Sequence, residues 1–183
     1  MGWVDSEMKI VLTGFMGTGK SAVGRRLAER LGLPFVDLDD AIEAAASMAI
    51  PEIFASEGES GFRRRERELI ASVANHSDCV VATGGGAMLD PENVRNLRTG
   101  AVLVCLAAEP AVILQRLGAD ARRPLLQHPD RLARIRELLE QRGPAYAQAD
   151  FSIETSGADV EEIVDRIVHH LGLEVAGSVD AGR

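Results

Sequence analysis

Residues 9–21 read Lys9-Ile-Val-Leu-Thr-Gly-Phe-Met-Gly-Thr-Gly-Lys-Ser21. Lys9 to Thr13 has the composition of a buried strand. Gly14 to Ser21 fits the spacing G-x-x-x-x-G-K-[ST], and Lys20 to Leu31 follows with helical periodicity until Gly32, with Pro34 beyond. A loop that wraps a phosphate must turn backbone N–H groups inward, and glycine permits that conformation. The helix behind it adds its unpaired N–H groups and the positive end of its dipole. Gly17, Thr18 and Gly19 would then supply backbone contacts to a nucleotide, Lys20 would reach its β and γ phosphates, and the Ser21 hydroxyl suits Mg²⁺. This is a nucleotide-binding loop.

Outward from it, short apolar runs alternate with helical patterns. Phe35 to Leu38, Cys79 to Thr83, Ala101 to Leu106 and Phe151 to Glu154 read as further strands. Helices are expected over Asp40–Ala46, from Ile50 to Ala55, over Glu59–Ala74, from Asp90 to Leu97, over Pro110–Leu117, from Asp130 to Arg142 and over Asp159–Leu171. Uninterrupted apolar strands separated by helices imply a parallel sheet covered on both faces. The expected architecture is α/β, a three-layer α/β/α sandwich with a five-stranded parallel sheet. Residues 1–183 read as one domain, with 39–75 and 118–129 inserted over the top of the sheet and 176–183 as a frayed tail.

Twenty Lys plus Arg stand against 28 Asp plus Glu, a net charge of −8. Only Lys9 and Lys20 among the cations are lysines. The acidic balance argues against a general nucleic-acid or membrane-surface binder, so any anion site must concentrate its cations locally. The longest apolar run, Ala101 to Ala108, is too short to span a bilayer, and no secretory signal is visible at Met1. Cys79 and Cys105 sit in apolar strands as two buried, reduced thiols. These features point to the cytoplasm.

Other motifs narrow the chemistry. The Asn-Lys-x-Asp signature expected of a GTPase does not occur, and the short chain suits a small-molecule kinase. Asp37-Leu-Asp39 ends the second strand, beyond which ligands sit in open α/β sheets. Alternate strand residues share a face, so one carboxylate can hold a water of Mg²⁺ and the other can orient a substrate hydroxyl. The competing reading has Asp39 and Asp40 capping the next helix. Arg63, Arg64, Arg65 and Arg67 alternate with acids, the usual mark of a solvated, salt-bridged face, but Arg63 follows Gly61-Phe62 where a helix begins and could fork onto a carboxylate. Gly84-Gly85-Gly86 after a strand allows close approach of a ligand. Arg122 and Arg123 lie in an aperiodic stretch suited to cover a nucleotide. Arg142-Gly-Pro144-Ala-Tyr146 reads as a helix end.

Together these motifs resemble the shikimate kinase family, in its order: Gly14–Ser21, Asp37-x-Asp39, Gly61-Phe-Arg63, Gly84–Gly86, Arg123-Pro-Leu-Leu126 and Arg142-x-Pro144-x-Tyr146. The likeness spans roughly residues 9–170. Leu38 stands where Thr or Ser would be expected, with its side chain expected to face away. The resemblance implies a P-loop NTPase fold and ATP-dependent phosphorylation of shikimate on its 3-hydroxyl. It implies that Asp39 holds the substrate hydroxyls and is the candidate base, that Asp37 is the Mg²⁺ partner, and that Arg63 and Arg142 clamp the carboxylate. Gly84, Gly85 and Gly86 would face the substrate, with Phe54 and Phe62 as apolar walls. Arg123 would reach the phosphates from a lid at 118–129, and Arg116 would lie along the adenine. Residues 39–75 would be the substrate-binding segment of a monomer. A gluconate kinase of the same fold need not combine Arg63, Arg142 and Asp39, and a nucleotide-binding module without chemistry would need neither clamp nor lid. On this reading the cations gather round one cleft and the acidic excess lies elsewhere.

Overall fold

The computed structural model describes residues 8–118 and 128–173. Lys9–Thr13 forms β1, buried along its whole length. It pairs with β3 (Cys79–Ala82) on one side and β4 (Ala101–Ala107) on the other. β2 (Phe35–Asp37) flanks β3, and β5 (Phe151–Glu154) flanks β4. The order β2-β3-β1-β4-β5 is parallel throughout. The continuous apolar runs follow from that: a central parallel strand has no solvent face.

Strand alternation divides the side chains between two cores. Ile10, Leu12, Val80 and Val104 pack against α1 (Lys20–Leu31) and α7 (Val160–His170). Val11, Val81, Leu103 and Cys105 pack on the other face. That face is covered by α3 (Ile50–Ala74), α4 (Pro91–Leu97), α5 (Pro110–Leu117) and α6 (Arg131–Tyr146). α2 (Leu38–Ala46) and the start of α3 carry a satellite core of Ile42, Ile53 and Phe62. The result is the expected three-layer α/β/α P-loop fold. Cys79 and Cys105 are free and buried, and burial pushes both thiols up from their ordinary pKa. Among the described residues no helix is long and apolar enough to cross a membrane.

Three boundaries differ from the sequence reading. β2 stops at Asp37 and α2 starts at Leu38, so Asp39 sits in the first turn of a helix and not on the strand. The two helices expected over 50–74 are separated by one non-helical residue, Gly58, at φ 72° and ψ −178°. α6 does not end near Arg142; it runs through Pro144 to Tyr146, and its ladder resumes with Ala147 N donating to Gly143 O at 2.9 Å. The expected lid at 118–129, with Arg123, lies almost wholly outside the described residues, and the tail at 176–183 lies outside them too.

Candidate active site

The loop after β1 is built by glycine conformations. Gly14, Gly17 and Gly19 take φ of 131°, 78° and 95°, and a Cβ on Gly14 would lie 2.2 Å from the Leu106 carbonyl oxygen. Gly19 is the N-cap of α1. Lys20 Nζ donates to the carbonyls of Gly14 at 2.9 Å and Phe15 at 2.8 Å, and Thr18 Oγ1 donates to Phe15 O at 2.8 Å. Lysine and threonine thus hold the loop closed on itself around the start of α1.

The Asp37-Leu-Asp39 motif divides its work. Asp37 caps α2, accepting from Asp39 N at 3.0 Å through Oδ1. Its other oxygen accepts from Ser21 Oγ at 2.6 Å. Capping therefore falls to Asp37 and not to Asp39 or Asp40. It leaves Asp39 on the first helical turn, at the wall of a cleft. Leu38 between them is fully buried in the main core, so its side chain does face away.

The cleft encloses about 620 Å³ between the C-terminal ends of the strands and the α2–α3 segment. Asp39, Phe54, Phe62, Arg63, Gly84, Gly85, Gly86 and Arg142 all line it. The Phe54 and Phe62 rings lie 4.9 Å apart. Two of the glycines after β3, Gly84 and Gly86, make room for functional side chains. A Cβ on Gly84 would stand 2.9 Å from Asp39 Oδ1, and one on Gly86 2.6 Å from an Arg63 terminal nitrogen. The carbonyl of Gly85 accepts from Arg142 Nη1 at 3.0 Å and from Tyr146 Oη at 2.7 Å. Arg142 and Tyr146 are four residues apart and so share a helix face, which requires α6 to stay helical past Pro144. Two tertiary hydrogen bonds from buried side chains help to offset the cost of proline in the helix.

One participant escaped the sequence reading. Glu66 belongs to the alternating charges of residues 63–68, yet its side chain is only 1% exposed. It accepts from Arg63 Nη1 at 2.7 Å, while its Oε1 has no hydrogen-bond partner among the described residues and lies 3.0 Å from where a Gly84 Cβ would be. Burial pushes the Glu66 carboxyl up, Arg63 pulls it down, and Asp39 and Asp90 push it up further. The helical spacing of Phe62 and Glu66 is the signal that could have shown it, since Phe62 faces the satellite core. Arg64, Arg65 and Arg67 are the ion-paired surface expected of such a run.

Arg116 has a defined anchorage, and one further expectation needs adjustment. Arg116 forks onto Thr155, at 2.9 Å to Oγ1 and 2.7 Å to the carbonyl, and reaches Gly17 O at 3.4 Å, so it ties the end of β5 to the phosphate loop. The acidic excess does not lie wholly elsewhere. Asp39, Asp40, Glu43, Glu59 and Glu66 line the cleft against Arg63 and Arg142, so the site is not a positive basin but two arginines placed among carboxylates.

The oxygen donors at Ser21 and Asp37 fit a hard divalent cation. Mg²⁺ takes few protein ligands and completes its shell with phosphate oxygens and water. A hydroxyl and a carboxylate, 2.6 Å apart at the mouth of the phosphate loop, are such a pair.

Comparisons with known proteins agree with this arrangement. The family model described as Shikimate kinase matches residues 16–172. The chain is 47% identical over 159 residues to the shikimate kinase of Thermodesulfovibrio yellowstonii, covering 87% of this chain and 92% of that protein. It is 48% identical over 167 residues to the shikimate kinase of Symbiobacterium thermophilum, covering 90% and 96%. The solved structure of the shikimate kinase from Acinetobacter baumannii in complex with shikimate superposes with a TM-score of 0.86 at 37% identity, covering 92% and 95%. A match of this length, on relatives of this identity, makes the chain a member of the shikimate kinase family.

Proposed function

We propose that the cleft transfers the γ-phosphoryl group of ATP to the 3-hydroxyl of shikimate, giving shikimate 3-phosphate for aromatic amino acid biosynthesis. Family membership makes the reaction an ATP-dependent phosphorylation of shikimate. The observation that carries the assignment of roles is the convergence of Arg63, Arg142 and Asp39 on one cleft, beside the loop that holds Lys20. A substrate with one carboxylate and several hydroxyls needs a forked cationic clamp and a hydroxyl acceptor.

In this reading Arg63 and Arg142 bind the carboxylate and fix the ring's orientation against the apolar wall of Phe54 and Phe62. Gly84, Gly85 and Gly86 let the ring approach the backbone. Asp39 accepts the hydrogen bond of the attacking hydroxyl and takes its proton as the new P–O bond forms and ADP leaves. The backbone of Gly17, Thr18 and Gly19 cradles the phosphates. Lys20, and Arg123 from the lid, neutralise charge on the transferring group. Arg116 lies along the adenine from its anchorage on Thr155. Ser21 and Asp37 would hold one Mg²⁺, which when bound withdraws charge from the phosphate oxygens. The described members of this set come from one chain, in keeping with a monomer. The free buried thiols suit the cytoplasm.

Asp39→Asn tests the assignment. It preserves shape and loses the proton acceptor, so kcat should fall by roughly 10²- to 10⁴-fold. The KM for ATP and the melting temperature should hold near wild type. A kcat within a few-fold of wild type would remove Asp39 from its role.

A further inference from the structure

α3 is broken at Gly58, and the break divides the wall of the acceptor cleft from its clamp. Before it, Ile50, Pro51 and Phe54 line the cleft; after it, Phe62, Arg63 and Glu66 do. Whatever holds the angle between the two pieces therefore sets the distance from the apolar wall to the carboxylate-binding arginine. Gly58 cannot hold it. Its conformation, φ 72° and ψ −178°, belongs to glycine, and a Cβ there would meet no atom within 4 Å.

We propose that Glu57 and Arg65 form a latch across this break and are positioning residues for the acceptor. Arg65 forks onto Glu57, with Nη2 at 2.6 Å from Oε1 and Nε at 3.2 and 3.1 Å from the two oxygens. Arg64 Nη2 adds a third donor at 3.2 Å to Oε2. Glu57 folds back onto Gly61, where a Cβ would stand 2.3 Å from the Glu57 Cβ and 2.9 Å from its Oε2. Gly61 thus supplies the room that the fold-back needs. The bidentate fork is directional, so it fixes orientation as well as distance. Neither Glu57 nor Arg65 lines the cleft. They act on the substrate only through the relative placement of Phe54 and Arg63. The tilted contact of Phe54 with Phe62 spans the same break from the cleft side.

The inference rests on the shikimate reading of the cleft, and its test separates the two. The KM for shikimate, the KM for ATP, kcat and the melting temperature are measured for wild type, Glu57→Gln, Arg65→Gln, Arg65→Lys and the double Gln variant. Misplacing the wall should raise the shikimate KM roughly tenfold in each single Gln variant, with the ATP KM within about twofold. Arg65→Lys keeps the charge but loses the fork, and should show an increase in the same sense. The double variant should be no worse than Glu57→Gln alone, because that variant already loses the Arg65 fork together with the Arg64 contact. A uniform loosening would instead raise both KM values together, and that result overturns the latch. So does a folded Glu57→Gln or Arg65→Lys with an unchanged shikimate KM. Wild type inert toward shikimate would overturn the reaction itself, and the latch with it.

Discussion

Glu66 is the residue on which burial and pairing oppose each other most directly. It sits 1% exposed between Arg63, which stabilises its charge, and Asp39, which does not. Desolvation outweighs the arginine, so the folded protein holds the Glu66 proton to a higher pH than the unfolded chain, which releases it near pH 4.5. Between those two points the folded state binds the extra proton, and stability falls as pH rises through the window. Glu66→Gln has no proton to lose there. Melting temperatures of the two proteins, followed from about pH 4 to about pH 7, should move apart in favour of the Gln variant as pH rises. Movement in favour of wild type would show that Arg63 outweighs burial. The sequence displays Glu66 only as one acid in a run of alternating charges. Its character depends on the glycine turn packed across it, which is distant in the chain. Asp37 is similar: spacing puts it beside Asp39, but its work as the cap of α2 and acceptor from Ser21 follows from where β2 stops.

At the scale of elements, the glycine turns separate two kinds of constraint. Gly86 has no Cβ because the flexible end of Arg63 occupies that space, at 2.6 to 3.0 Å. Gly14 has none because the backbone of β4 does, and its φ of 131° excludes other residues independently. Gly86→Ala should therefore melt near wild type while the shikimate KM rises roughly tenfold, since the arginine moves and the strand does not. Gly14→Ala should destabilise the fold, because a strained left-handed backbone costs on the order of 1–3 kcal/mol, a fall of roughly 2–10 °C in a domain of this size. Equal melting temperatures for the two variants would contradict the distinction. The strands and the P-loop helix were legible in the sequence because burial on both faces writes continuous apolar runs and glycine punctuates their ends. The passage of α6 through Pro144 was not, because it depends on Arg142 and Tyr146 meeting the Gly85 carbonyl. That is a tertiary contact overriding a local propensity.

At the scale of the molecule, a net charge of −8 argues against a polyanion-binding surface and yet is compatible with a small anionic substrate. The two lysines show how sparingly cations are placed: Lys20 closes the phosphate loop, and Lys9 is buried with its ammonium donating to the Ala74 carbonyl at the end of α3. The proposed recognition set of Arg63, Arg142 and Asp39, which share one cleft, could be picked out of the sequence by motif, though not the carboxylates that surround it. Such a cleft should choose its acceptor by the geometry of two arginines and not by bulk potential. The most direct measurement is ADP release coupled to NADH oxidation, with shikimate, quinate and gluconate offered side by side at equal concentration. The account predicts that shikimate gives the highest kcat/KM of the three. Turnover on gluconate equal to or above that on shikimate, or ADP release independent of any acceptor, would contradict it.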